Sequence, residues 1–340
     1  MNRLKGLIKK FWLYPVYFLF CVAAFQTVAQ LTLCYPSISL RYEKPLSAQQ
    51  VKLIKESDLS GLYPVFWSQA KGVAVTGEDG TADASVLWVD GEGSKVYPVN
   101  FSEGGYPSEL DTQGCAVSSA LAWKLWGSEK VSGLSLHLDG KSYQIRGVFN
   151  SKDYIAMIQT NGTDSGKEFE AVELAGEYAD STETLLEQLA ISGILPIPDI
   201  LIDGRLMYGV FCFIAAIPIL LLIIAGMKRM LAVNSANKKQ KNNSLWKKEV
   251  VIFAFLLVNA LFLPELLKKL PADMVPVRWS DFNFWGRFFK VYETRYIDWL
   301  SLRPLLKDIL AKQLMMKELV CSLMADIIGI LLLKEDFDRY

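Results

Sequence analysis

The sequence predicts an α-helical membrane protein with about four transmembrane helices and a mixed α/β extracytoplasmic domain inserted after the first helix. Three observations predict it. Phe11–Leu40 holds no charged residue, and Phe11–Leu33 alone supplies 23 residues, enough to cross the hydrocarbon core. Met207–Met227 is a second uncharged run, of 21 residues. Between the two lies a stretch in which strand-like alternation and short capped helices follow one another, the pattern of a folded α/β domain.

Charge orients the chain. The 36 basic and 36 acidic residues balance overall but are segregated. Arg3, Lys5, Lys9 and Lys10 precede the first run, and residues 228–249 carry seven bases against Glu249 alone. Residues 35–205 carry 13 bases and 24 acids, a net charge of −11. Basic flanks stay in the cytoplasm, so 35–205 is outside. No basic stripe lies in the soluble part, which speaks against nucleic-acid binding. The first run exceeds the 7–15 residues of a signal-peptide core and reads as an uncleaved anchor.

The organisation that follows has a cytoplasmic tip and first span over 1–34 and the α/β domain over 35–205. A second span covers 206–227, a basic cytoplasmic loop 228–249 and a third span 250–264. An interfacial outer loop covers 265–318, and a fourth span with the C-terminal tail covers 319–340. The apolar cores of the last two spans, Val250–Pro264 and Leu319–Leu333, have only 15 residues each and need tilt or polar ends to cross. The 265–318 segment is rich in Trp, Tyr and Phe and reads as short amphipathic helices at the headgroup level. Its ten bases and seven acids run against the positive-inside bias, which long loops obey poorly.

Within the domain, Ser47 is placed to cap a helix through Glu56 with Val51 and Ile54 inward. Tyr63–Trp67, Gly72–Thr76 and Ser85–Val89 read as short strands, and Tyr97–Phe101 as another. Cys115-Ala116-Val117 reads as a strand that delivers Ser118 as cap to a helix over Ser119–Trp126, closed by Gly127. Leu134, Leu136 and Leu138 then alternate with Ser135 and His137, and Asp139-Gly140 turns the chain into Ser142–Phe149, a strong hairpin signal. Phe169–Leu174 reads as a strand. Asp180 with Glu183 matches a capping box that opens a helix with Leu185, Leu186 and Leu189 inward.

Catalytic chemistry has no foothold in these patterns. Gly91-Glu92-Gly93-Ser94-Lys95 lacks the spacing of a phosphate-binding loop and reads as a turn between strands. His137 is the only histidine and falls on the polar side of the hairpin, so neither a catalytic dyad nor a metal set is indicated. The reading is therefore of a protein with no enzymatic activity and no cofactor. The five cysteines read as small buried hydrophobes. Asp326 and Asn259 are the polar groups inside predicted spans, the candidates for an intramembrane polar contact.

The set Ser119-Ala120-Leu121-Ala122, Leu125-Trp126-Gly127, then Asp139-Gly140, Tyr143, Ile145 and Gly147-Val148 resembles the extracytoplasmic core of MacB/FtsX-type ABC-transporter permeases. So does Val73-Ala74-Val75-Thr76 followed by Val86-Leu87-Trp88-Val89-Asp90-Gly91. The resemblance covers roughly residues 11–227. It implies a permease subunit that pairs as a homodimer, or as a heterodimer with a related permease, in a lipid membrane. It also implies a separate cytoplasmic ABC-type ATPase whose cycle moves the outer domain. Met230 and Leu231, on a helix continuing from the second span, are the candidate ATPase contacts. The alternative is a stand-alone membrane-anchored binding or scaffold protein without an ATPase, since 228–249 lacks the Arg/Glu-Ile-Gly-rich coupling helix.

The topology is testable with single cysteines at positions 165 and 244 in a background lacking the native ones. An impermeant thiol reagent on intact cells should label position 165 and spare position 244. The reverse pattern overturns the orientation.

Overall fold

A computed structural model describes residues 2–35, 38–57, 59, 61–161, 167–176, 182–191, 193–236, 250, 274, 278 and 280–337. The chain forms two compact units. One comprises Met1–Thr32, Arg205–Val275 and Leu310–Tyr340; the other comprises Leu33–Gly204 and Pro276–Ile309.

The second unit is built on one ten-stranded mixed sheet. Its strands are β1 (Ile38–Leu46), β2 (Tyr63–Thr76), β3 (Thr81–Asp90), β4 (Phe101–Gly104) and β5 (Gly114–Ser118). They continue with β6 (Ser135–Leu138), β7 (Lys141–Phe149), β8 (Ile155–Gln159), β9 (Phe169–Ala175) and β10 (Ile200–Asp203). The order is β10-β1-β9-β2-β3-β8-β5-β7-β4, with β6 joined to β2 and β7. Only β3/β8 and β5/β7 pair in parallel among these.

The helices of this unit are α2 (Ala48–Glu56), α3 (Gly93–Val96), α4 (Ser119–Trp126), α5 (Thr182–Ile191) and, from the distant segment, α7 (Phe284–Ser301). Two apolar clusters share the sheet. Around α4, Leu121 and Leu125 pack with Val75, Val86, Leu136, Ile145 and Ile158. Around α2 and α5, Val51, Ile54, Leu185 and Leu189 pack with Leu40, Phe66, Val172 and Leu174. The long strand β2 serves both, giving Phe66 to one and Val75 to the other.

Local chemistry accounts for most elements. Ser47 and Gln50 form the capping box of α2. Ser118 Oγ accepts the Leu121 N–H at 3.2 Å, capping α4, and the Ile155 N–H at 3.1 Å, which ties β8 to the same residue. Asp139 and Gly140 take φ of +48° and +75°, the left-handed pair that a two-residue hairpin turn requires. Leu136 and Leu138 are buried and His137 is exposed, as alternation predicts.

Several expectations change. Tyr63–Trp67 and Gly72–Thr76 are one strand, because a bulge between Ala70 and Val73 lets β2 bend without leaving β3. Phe101 opens β4 instead of ending a strand. Gly93–Val96 is a single helical turn, α3. The expected Asp180 cap lies outside the described residues. All five cysteines are buried and free. From the segment 265–318, expected as an interfacial outer loop, Pro276–Ile309 falls in the same compact unit as the α/β domain. The cause is burial: Phe288 and Trp299 of α7 are 9% and 3% exposed, and α7 packs on β10.

The first unit contains most of α1 (Asn2–Cys34), α6 (Gly204–Ala236) and α8 (Leu306–Phe337). Among the described residues, two segments are long and apolar enough to cross a bilayer, Leu13–Cys34 and Gly204–Ile223. Residues 251–264, most of the third expected span, lie outside the described residues. The fourth is part of α8, whose helix begins at Leu306, well before the expected start at 319. Tyr17 and Cys21 of α1 pack with Ala325, Ile328 and Leu332 of α8, and the Tyr17 hydroxyl donates to the Pro218 carbonyl of α6 at 2.6 Å.

Leu136→Ala should cost about 2–5 kcal/mol of domain stability, since it empties a fully buried site. His137→Ala should stay within about 0.5 kcal/mol, as surface changes do. Urea denaturation of the detergent-solubilised protein, followed by tryptophan fluorescence, measures both; equal losses would reverse the assignment of the two hairpin faces.

Candidate functional site: a buried charge cluster

Strand periodicity puts Ser39 and Arg41 of β1, Ala171 and Glu173 of β9, and Val65, Trp67 and Gln69 of β2 on one face of the sheet. Register aligns them: Ser39 lies opposite Glu173, which lies opposite Val65, and Arg41 lies opposite Ala171, which lies opposite Trp67. The small Ala171 leaves room between its large neighbours, and the Arg41 guanidinium reaches over the Trp67 ring at 4.8 Å from its centroid.

The chain before and into α8 lies along this polar face. Lys71 Nζ donates to the Pro304 carbonyl at 3.2 Å, and the Leu306 N–H donates to Gln69 Oε1 at 2.8 Å. The second contact satisfies a backbone donor at the start of α8 from outside the helix. Lys307 and Asp308 then enter the sheet face, where Arg41, Glu173, Lys307 and Asp308 are 4%, 2%, 1% and 1% exposed.

Glu173 is the hub. Its carboxylate accepts from Lys307 Nζ at 2.8 Å, Arg41 Nη1 at 3.3 Å, Trp67 Nε1 at 2.9 Å and Ser39 Oγ at 2.7 Å. Arg41 Nη2 bridges to Asp308 at 3.3 Å, and the Tyr35 hydroxyl donates to the same Asp308 oxygen. Lys307 also donates to the Lys95 carbonyl at 2.7 Å and lies over the Tyr35 ring. Trp299 of α7 stands edge-on to Tyr35, with centroids 6.3 Å apart. Two cations and two anions thus share one dry site.

Protonation follows from burial and pairing. Burial pushes the Lys307 ammonium down to about 8, opposed by Glu173. Burial works against the charge on Asp308, but Arg41 and the hydrogen bond from Tyr35 outweigh it and hold the carboxyl below its usual range. For Arg41 the neighbouring carboxylates likewise outweigh burial and raise its value. Burial, then the Asp308 carboxylate, pushes the Tyr35 phenol well up. At neutral pH Arg41, Lys307 and Asp308 are therefore ionised.

The residues singled out from sequence lie elsewhere. Met230 and Leu231 fall within α6, and their side chains lie outside the described residues. Asn259 also lies outside them. Asp326 is half-buried in α8, and among the described residues its Oδ1 has no hydrogen-bond partner. His137 is exposed on β6, and its backbone pairs with Thr76. The charge cluster was missed. The available signal was weak: Ser39 and Arg41 alternate with Ile38 and Leu40 in β1, and Glu173 sits between Val172 and Leu174 in β9.

Comparisons with known proteins place little beside this geometry. No family model and no curated protein matches the chain. Solved structures that resemble it include the periplasmic region of MacB from Actinobacillus actinomycetemcomitans, with 9% identity, a TM-score of 0.41, and 49% of this chain and 87% of that one covered. Another is the extracellular domain of the ABC-type transporter YknZ from Gram-positive bacteria, with 13% identity, a TM-score of 0.37, and 46% and 94% covered. Scores at this level establish neither a shared activity nor a shared family.

The cluster should leave a pH signature. An unfolded lysine titrates near 10.4, so between pH 8 and 10 the unfolded chain binds more protons than the folded one at Lys307. Stability through Lys307 therefore rises with pH across that window. Asp308 acts on the acid side: its contribution is lost as pH falls below about 4. The difference in unfolding free energy between the native protein and Lys307→Met should grow from pH 8 to 10. A constant difference would show that Lys307 is not desolvated in the fold.

Proposed function

We propose that the chain is a permease-type subunit in which the membrane helices move an extracytoplasmic α/β domain, itself carrying no catalytic chemistry, in response to a separate cytoplasmic ABC-type ATPase. One observation carries the reading: two of the helices adjoin the sheet or its buried cluster directly along the chain. α6 begins at Gly204, directly after Asp203 of β10, and Asp203 pairs with Ile38 of β1, which follows the end of α1 after three residues. The first turn of α8 is held in the buried charge cluster. The chain thus passes from β10 into α6, and from the buried cluster into α8, with no intervening loop, a layout that suits the passing of helix movement to the domain. An anchored scaffold has no need of it.

Coupling to an ATPase must use the basic 228–249 segment, the largest cytoplasmic loop that the charge bias predicts. Lys238, Lys239 and Lys241 suit anionic headgroups, each worth about 1 kcal/mol near the membrane surface. Met230 and Leu231 are the apolar positions available to a protein partner.

Detergent pull-down under ATP-trapping conditions, read by mass spectrometry, tests this. The native protein should recover an ATPase with Walker motifs. Met230→Asp with Leu231→Asp should abolish that recovery, and Lys238→Gln with Lys239→Gln should leave it intact. Recovery of no ATPase by the native protein makes the stand-alone scaffold the better reading.

A further inference from the structure

α7 carries one apolar side, of which only part is covered. Phe288 and Trp299 are buried, and exposed rings lie against them: Trp285 and Phe289 on Phe288, and Tyr296 on Trp299, with centroids 5.7–5.9 Å apart. Trp285, Phe289, Tyr296 and Leu300 are spaced by four, seven and four residues, which places them in one stripe along the helix. They are 42%, 61%, 45% and 45% exposed. Ile297, 55% exposed, and the charged Lys290 and Glu293 border the stripe. At 1.5 Å per residue the stripe runs for roughly 24 Å.

We propose that this stripe lies in the headgroup region of the bilayer, with α7 as an interfacial helix held to the α/β domain by the adjoining buried rings of Phe288 and Trp299. Three observations select lipid as the occupant. The stripe combines Trp and Tyr, whose polar tips suit the water–lipid boundary, with Phe and Leu, which suit the acyl edge. α7 packs on β10, the strand that continues without a break into the apolar α6. Four residues join its other end to α8, in which the 319–333 apolar run lies. Charge is not the driver: Lys290 and Glu293 offset each other beside the stripe, and Arg287 pairs with Asp281. The attachment is apolar and aromatic, so it needs no anionic lipid. The inference rests on membrane insertion alone and stands whether or not an ATPase binds.

Spin labels test it on the full-length protein in phosphatidylcholine vesicles. The native cysteines are replaced, and single cysteines are introduced as Phe289→Cys, Tyr296→Cys and, as a reference on the exposed strand β7, Ser142→Cys. Power saturation compares collisions with oxygen, which enters lipid, and with a nickel chelate, which stays in water. The oxygen-to-nickel ratio at 289 and 296 should exceed that at 142 several-fold. A ratio equal to that at 142 means a wet stripe and overturns the proposal. Low access to both reagents means that protein, such as a second copy of this chain, covers it, and overturns the proposal equally. Because both positions are exposed, the variants should fold, and retention of the native unfolding midpoint checks that they do.

Discussion

Glu173 and the three charged side chains around it are the constraint on which the rest of the α/β unit depends. Four ions are removed from water at one spot, and a buried ion pair offsets its desolvation only when its geometry and hydrogen bonds are complete. Glu173 is complete because Lys307, Arg41, Trp67 and Ser39 all reach it. Taking away one cation leaves a buried carboxylate short of a partner, which typically costs about 3–5 kcal/mol. The cluster therefore demands that β1, β9, β2 and the start of α8 be in place together. It also fixes register. A slip of one residue in β1 would turn Ser39 and Arg41 toward the apolar face, where Leu40 packs with residues of α2 and α5.

A domain closed by such a cluster differs mechanically from one closed by an oily seam. Apolar side chains can slide past each other at modest cost, whereas paired charges at 2.8–3.3 Å lose their partners over a short displacement. The polar face of β2 adds a second hold through Lys71 and Gln69 on the segment leading into α8. Both holds act on Leu306–Asp308, so the start of α8 belongs to the rigid part of the α/β unit.

Local rules read the α4 half of the domain well. Ser118, Gly127 and the Asp139-Gly140 turn act on neighbours within a few residues, and the Leu136/His137 alternation fixes which face is inside. Such signals are complete in a single stretch of sequence. The cluster joins residues up to 273 positions apart, as Tyr35 and Asp308 are, and no local periodicity reports a partner at that distance. Arg41 and Glu173 alternate with apolar neighbours in their strands, but their meaning depends on each other and on Lys307. Lys307 itself follows Pro304-Leu305-Leu306 in a segment whose aromatic content drew the reading toward the membrane surface. Nothing in the sequence distinguishes the buried Phe288 and Trp299 from the exposed aromatics around them, so the packing of this segment on the sheet was not legible.

The charge puzzle of that segment resolves in the same way. Its net positive charge opposed an outer placement when the segment was weighed alone. In the folded chain Pro276–Ile309 completes a unit whose other part is strongly acidic. Lys307 is matched by Glu173, and Arg287 by Asp281. A base fixed beside a carboxylate in the fold is not free to interact with anionic lipid on the cytoplasmic side. The positive-inside rule concerns short loops in the vicinity of the spans. Here the relevant charge belongs to the discontinuous unit, which remains acidic after the second segment is added. Pro276–Ile309 brings Lys307 to a carboxylate of that acidic unit although the whole of Arg205–Val275 intervenes along the chain.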